Sequence, residues 1–260
     1  MLSKLLRRIL LGQVLTGALP GWLVARQIDG PSWLAFVGAL ALPLLGALLV
    51  TSLTAVKSRS PGQPYLWWRS LVFEFGAGVL IFLLRQPWAQ TPAIVLPPDT
   101  TPPRIPVMLV HGYLCNHRVW DTVAQRLIDA GHPVLAVNLE PLFTSIDRYS
   151  PLIEQTVDAL RRHTGANQVA LVGHSMGGLA IRAWMRVHGH GRVARVLTLG
   201  TPHAGTQVAH DTSLPNGTQM EWQSQWLHAL SESETLETRG LMRIALTPQD
   251  NIVFPRWLRC

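Results

Sequence analysis

Val169-Ala170-Leu171-Val172-Gly173-His174-Ser175-Met176-Gly177-Gly178-Leu179-Ala180 is the stretch whose reading decides the fold. Val169 to Val172 is apolar and β-prone. Beyond Gly177, the residues Leu179, Ala180, Ala183, Trp184 and Val187 recur at helical spacing. The pattern predicts a strand, a sharp turn and a helix, with Ser175 at the apex. A residue there must hold strained backbone angles, and side chains two places before or after it would collide with the turn. Glycine at 173 and 177 removes the collision. The serine hydroxyl then stands above the sheet, beside a helix N-terminus whose unpaired N–H groups and dipole favour an oxyanion. These are the requirements of a nucleophile. A glycine-rich turn with an idle serine has the same local pattern, and the surrounding elements separate the two.

Upstream, Val107 to Val110 is a short buried strand that runs into His111-Gly112-Tyr113. Val119, Trp120, Val123, Leu127 and Ile128 mark a helix closed by Gly131, and Pro133 to Leu139 is the next strand. Ser150 is expected to cap a helix with Pro151 at its first position and Leu152, Ile153, Thr156, Val157 and Leu160 on its inner face. Val193 to Leu199 supplies another strand after the serine turn. Alternation of this kind predicts an α/β fold, a mostly parallel sheet with helices on both faces.

His111-Gly112 after a strand, Gly173-His174-Ser175-Met176-Gly177-Gly178, and Leu199-Gly200-Thr201-Pro202-His203-Ala204-Gly205-Thr206 together resemble the α/β-hydrolase superfamily. Within it the resemblance is to bacterial lipases and inositol-deacylase-like esterases, over roughly residues 105–254. The resemblance implies that Ser175 is the nucleophile, forming an acyl-enzyme, with Gly173 and Gly177 as the glycines of its elbow. It implies an oxyanion hole from the backbone N–H groups of Tyr113 and Met176. Asp250, after the apolar run at Ile244, would be the acid; a surface aspartate in a turn is the alternative.

In such proteins the base histidine follows the acid. Only ten residues follow Asp250 here, none of them histidine, and all ten histidines lie upstream. His111, His174 and His203 belong to turns where the family uses histidine for packing and hydrogen bonding, whereas His210 and His228 fall in a variable insertion. The expectation is a nucleophile, an oxyanion hole and an acid without a base, so that turnover falls by orders of magnitude. The final strand and histidine loop are also missing by this reading, which leaves a sheet edge exposed. A truncated or frame-shifted form of a longer lipase-like protein would account for both.

The remainder of the chain is of another character. Residues 1–104 carry nine Lys/Arg and three Asp/Glu, whereas 105–260 carry thirteen and twelve. The basic residues flank apolar segments and form no stripe on one domain, which argues for membrane orientation and against nucleic acid. Ile9 to Ala25 and Trp33 to Val56 are free of charge and predict a transmembrane helical hairpin, its turn at Gly30-Pro31. A third apolar piece, 66–84, contains Arg69 and Glu74 and is expected to be an interfacial or third helix. Prolines over 86–106 predict a stiff linker, and 107–260 is the hydrolase-like domain. With two spans, positive-inside places that domain in the cytoplasm of a bacterial inner-membrane protein; with three it is periplasmic.

Pro215-Asn216-Gly217 is expected to be a turn, and Met220, Trp226, Leu227 and Leu230 an amphipathic helix capping the pocket. Cys115 and Cys260 form neither a disulfide framework nor a metal-type pair, and the resemblance implies no metal and no cofactor. The resulting expectation is a membrane-anchored serine hydrolase, lipase- or carboxylesterase-like, acting on a lipid or other acyl ester. The alternatives are a catalytically silent membrane protein whose hydrolase-like domain binds a ligand or partner, and an acyltransferase.

Overall fold

The computed structural model describes every residue except 58–63, 98–103, 211, 248–249, 251 and 254–260. It divides into two units, Met1–Ala89 and Gln90–Cys260.

The first unit is helical. Helix α1 (Leu2–Gln27) and helix α2 (Trp33–Lys57) form an antiparallel hairpin, turned at Asp29, whose φ is 48°, and closed by Gly30 N donating to Ala25 O at 2.7 Å. Two glycines let the backbones touch: a Cβ on Gly17 would strike the Gly38 carbonyl, and one on Gly38 the Gly17 carbonyl. Helix α3 (Pro64–Gly78) continues through a π-helical stretch (Val79–Arg85) into a 3-10 turn (Gln86–Trp88). Arg69 and Glu74 therefore do not interrupt this helix, and it runs beyond the expected 66–84. Three helices, Leu2–Gln27, Trp33–Val56 and Tyr65–Trp88, are long and apolar enough to cross a membrane. Their large apolar side chains, among them Leu15, Phe36, Leu49 and Phe73, are exposed.

The second unit is built on a five-stranded sheet. Its elements are β1 (Val107–Val110), α4 (Asp121–Asp129), β2 (Val134–Val137), α5 (Ser150–Thr164), β3 (Val169–His174), α6 (Met176–His188), β4 (Val193–Leu199), α7 (Pro215–Met220), α8 (Gln225–Glu232), α9 (Leu236–Leu241) and β5 (Met242–Ala245). The strand order is β2-β1-β3-β4-β5, every pair parallel. Alternation along β1 sends Met108 and Val110 into one core with Ile153, Leu160, Leu179 and Trp184 of α5 and α6. Val107 and Leu109 face a second core with Trp120 and Ile128. The sheet is thus covered on both faces, as the βα alternation requires.

Three local expectations are corrected. Ser150 does not cap α5; it is the first helical residue, and Ser145 caps the 3-10 turn Ile146–Tyr149 that precedes it, accepting from Asp147 N. Pro215-Asn216-Gly217 is no loop turn but opens α7, since proline at a helix start lacks only an N–H that would be unpaired there anyway. The proline-rich stretch is not wholly a free spacer: Val95 exchanges both backbone hydrogen bonds with Val134 at 2.9 Å, and Ile94 packs on the core. Prolines bar a helix but allow an extended residue between them to pair with the edge of β2.

Candidate active site

Strand order reverses direction around β1 and β3, and in open α/β sheets the crevice outside the carboxyl ends of such strands is where ligands bind. β1 ends at Val110, leading into His111-Gly112-Tyr113; β3 ends at His174, leading into Ser175. These two strand ends adjoin one another: a Cβ built on Gly112 would lie 2.9 Å from Ser175 Cβ and 3.1 Å from His174 Nδ1.

Ser175 has φ 52° and ψ −125°, a conformation sparsely populated by residues with a Cβ. Its surroundings enforce this. Ser175 N donates to Leu199 O at 2.9 Å, and Ser175 O accepts from Thr201 Oγ1 and from Gly178 N, each at 3.0 Å. A Cβ on Gly173 would sit 2.6 Å from Gly178 Cα, and one on Gly177 would strike the Val110 and His111 carbonyls. Sequence reasoning placed both glycines; it did not identify Thr201, which fixes the turn from the next strand end. Its position within Thr201-Pro202-His203 was the available signal.

Met176 opens α6, so its N–H belongs to the first turn, where no intrahelical partner exists. Tyr113 and Met176 line one cleft together with Gly112, Tyr149, Phe143 and Asn216. His111 shapes this turn without being free for chemistry. Its Nε2 accepts from Leu139 N at 2.9 Å, so the proton lies on Nδ1, which donates to Gly112 O at 2.8 Å. Burial holds its pKa down to about 4, the Gly112 carbonyl opposing.

His203 is equally committed. Its Nδ1 lies 3.2 Å from Arg182 Nη1 and its Nε2 2.9 Å from Thr198 Oγ1, and burial, with the Arg182 charge, lowers its pKa to about 3. Arg182 in turn donates to Glu234 at 2.5 Å in a pair almost fully removed from solvent. His174 stacks edge-on to Trp120, with ring centroids 6.3 Å apart. Packing lowers its pKa although more than a third of its surface is open, and the charge of Asp250 opposes the shift.

Asp250 follows β5 and lies at the same end of the sheet. Oδ1 accepts from Ile252 N at 2.9 Å and Val253 N at 2.8 Å, and Oδ2 is 3.1 Å from where a Cβ on Gly200 would stand, at the end of β4. Ser175, Tyr113, Met176 and Asp250 therefore all stand at the carboxyl end of the sheet. His210 and His228 are exposed. Among the described residues no group of three or more His, Cys, Asp or Glu is arranged to hold a metal ion.

Residues 146–258 match the family described as PGAP1-like alpha/beta domain. The triacylglycerol lipase of Burkholderia plantarii is 30% identical over 164 residues, covering 60% of this chain and 44% of that protein. The chain thus spans less than half the length of this relative. Two solved structures share the fold. The mature Bacillus licheniformis lipase BlEst2 has TM-score 0.50 and 18% identity, covering 58% of this chain and 67% of that one. Aspergillus fumigatus lipase B has TM-score 0.52 and 15% identity, covering 64% and 43%. With its parallel sheet, its sharp turn at Ser175 and these similarities, the chain has an α/β-hydrolase-type fold and is lipase/esterase-like.

Proposed function

We propose that the protein is a membrane-anchored serine hydrolase acting on carboxylic esters, with lipid-borne acyl esters as its substrate class. The observation that carries this reading is the strained Ser175, held between β3 and α6 against the oxyanion-type turn after β1. Ser175 Oγ attacks the ester carbonyl, a C–O bond forms to the acyl group, and the negative charge on the carbonyl oxygen rests on the N–H groups of Tyr113 and Met176. The ester C–O bond breaks, the serine proton passes through water to the departing oxygen, which leaves as the alcohol, and a water then attacks the acyl carbonyl, breaking the acyl–Ser175 bond, releasing the acid and returning a proton to the serine oxygen. Asp250 is the acid member of the site. Its usual partner, a histidine after the acid, does not occur among the residues that follow Asp250 in this chain. His111 and His203 have both ring nitrogens engaged and cannot take its place. In this reading the oxyanion hole and substrate binding supply the part of the rate that needs no imidazole.

The engagement of both ring nitrogens of His111 and of His203 supports a second reading, a silent hydrolase-like domain that binds a ligand or partner. A fluorophosphonate probe separates the two. The hydrolase reading expects slow labelling of the folded full-length protein that Ser175→Ala abolishes; absence of labelling after prolonged exposure leaves the silent reading.

The three apolar helices constitute the anchor. Lys4, Arg7 and Arg8 support an amino terminus in the cytoplasm of a bacterial inner-membrane protein. The unbroken helical run to Trp88 favours a third crossing, which puts the hydrolase unit on the periplasmic side. Reporter fusions after Gln90 read this directly: a periplasm-active reporter is expected to work there, and cytoplasm-only activity restores the two-span arrangement.

A further inference from the structure

His111 and His203 are spent on structure, with both ring nitrogens of each engaged. His174, which ends β3 and precedes Ser175 in the chain, is not. Its side chain is exposed, and neither ring nitrogen has a hydrogen-bond partner among the described residues. The edge-on contact with Trp120 steadies the ring and leaves its nitrogens unclaimed. Its distance from the serine is bounded through Gly112. A Cβ on that glycine would lie 2.9 Å from Ser175 Cβ and 3.1 Å from His174 Nδ1. The two atoms border one point and so stand no more than about 6 Å apart. Residue 112 has no side chain to separate them. Ser175 Oγ is one bond from its Cβ and moves among three staggered rotamers. A single water hydrogen-bonded to both groups, at about 2.8 Å each, spans a gap of that order.

We propose that His174 Nδ1 accepts the Ser175 proton through one water. The proposal rests on the serine-hydrolase reading. As Ser175 Oγ bonds to the ester carbonyl carbon, its proton passes to the water and a proton of the water passes to Nδ1. When the ester C–O bond breaks, the imidazolium returns a proton through water to the departing oxygen, which leaves as the alcohol. Deacylation repeats the transfer with the attacking water in place of the serine. The relay needs a neutral ring with its proton on Nε2. Burial of part of the ring holds its pKa below the ordinary 6.5, the charge of Asp250 opposing, so the neutral form prevails at pH 7. Asp250 itself is bonded within its own turn and does not orient the ring. An unanchored base acting through water should therefore contribute about tenfold, less than the roughly hundredfold or more of a directly bonded one.

The test is the rate at which a fluorophosphonate labels Ser175 in the full-length protein in detergent, taken per folded molecule. His174→Gln and His174→Ala should each slow labelling about tenfold at neutral pH. Free imidazole should restore at least half of the lost rate in the alanine variant, where it can occupy the vacated space, and leave the unmodified protein unchanged. A second measurement needs no variant. His111, from the turn after β1, and Asp250 are the titratable groups that face the ring. Labelling of the unmodified protein should rise as the imidazolium loses its proton and level off by about pH 6.5, whereas an unassisted serine gains about tenfold per pH unit without a plateau. Unchanged labelling in His174→Gln, a loss that imidazole does not restore, or a rise that never levels overturns the relay and leaves Ser175 as nucleophile. No labelling of the unmodified protein, or labelling that Ser175→Ala does not reduce, overturns the hydrolase reading and the relay with it.

Discussion

The nucleophile side and the acid side of the proposed site are held by unequal means. On the nucleophile side, the residues Met176 to Met185 of α6 are all buried, and the elbow is tied to the ends of β1 and β4 by backbone contacts. On the acid side, three of the four residues of β5 are exposed, and Asp250 is oriented by two N–H groups within its own turn. The nucleophile geometry is thus enforced by the core of the domain and the acid geometry by local hydrogen bonds at a sheet edge. Loss of core packing should therefore destroy the elbow, while the acid side can change with little effect on the fold.

The largest effect expected from this comparison is that of Gly177→Val. Its side chain would fall on the Val110 and His111 carbonyls, backbone that cannot move without opening the sheet. A loss of more than about 3 kcal/mol is expected, read by urea unfolding of the full-length protein in detergent; near-native stability would show the elbow to be looser than its contacts imply.

Next is acid. His111 has a folded pKa of about 4 against an ordinary 6.5, so the unfolded chain binds a proton that the folded chain refuses. The stability this contributes is complete above pH 6.5 and drains as pH falls through the interval to 4, by about 3 kcal/mol. His203, lowered to about 3, adds a loss of the same sign. Stability that stays level between pH 6.5 and 4 would break this expectation, and His111→Gln should flatten part of the slope.

The smallest effect belongs to Asp250→Asn. The amide oxygen can still accept from Ile252 and Val253, so stability should change by less than about 0.5 kcal/mol. Fluorophosphonate labelling of Ser175 should change less than about twofold, since among the described residues the hydrogen bonds of the Asp250 carboxylate go to Ile252 N and Val253 N and not to an imidazole. A large fall in labelling would instead show that the acid reaches Ser175 through His174, whose ring feels its charge, and the two sides would then be coupled.

The elements most legible in sequence were those whose signal is local. The strand and helix around Ser175 follow from a run of β-branched residues and a helical apolar repeat, and Gly173 and Gly177 from the sterics of one turn. Val193–Leu199 and Val107–Val110 were legible for the same reason, and β5 less so, because an exposed edge strand carries little hydrophobic pattern. Asn216 was misread because Pro-Asn-Gly has the chemistry of a turn, and only packing against Met176 and the Gln219 bonds make it the start of a helix.

By itself, the sequence determined the βα alternation, the serine at its sharp turn, the apolar length of the helical segments and the histidines available, since each depends on residue type and spacing within a few turns of chain. Tertiary structure alone decided that β1 and β3 end side by side, that His111 and His203 are committed on both nitrogens, and that Val95 joins the sheet edge. Those facts depend on which distant segments meet, and burial and hydrogen bonding assign a group its chemistry only after they have met.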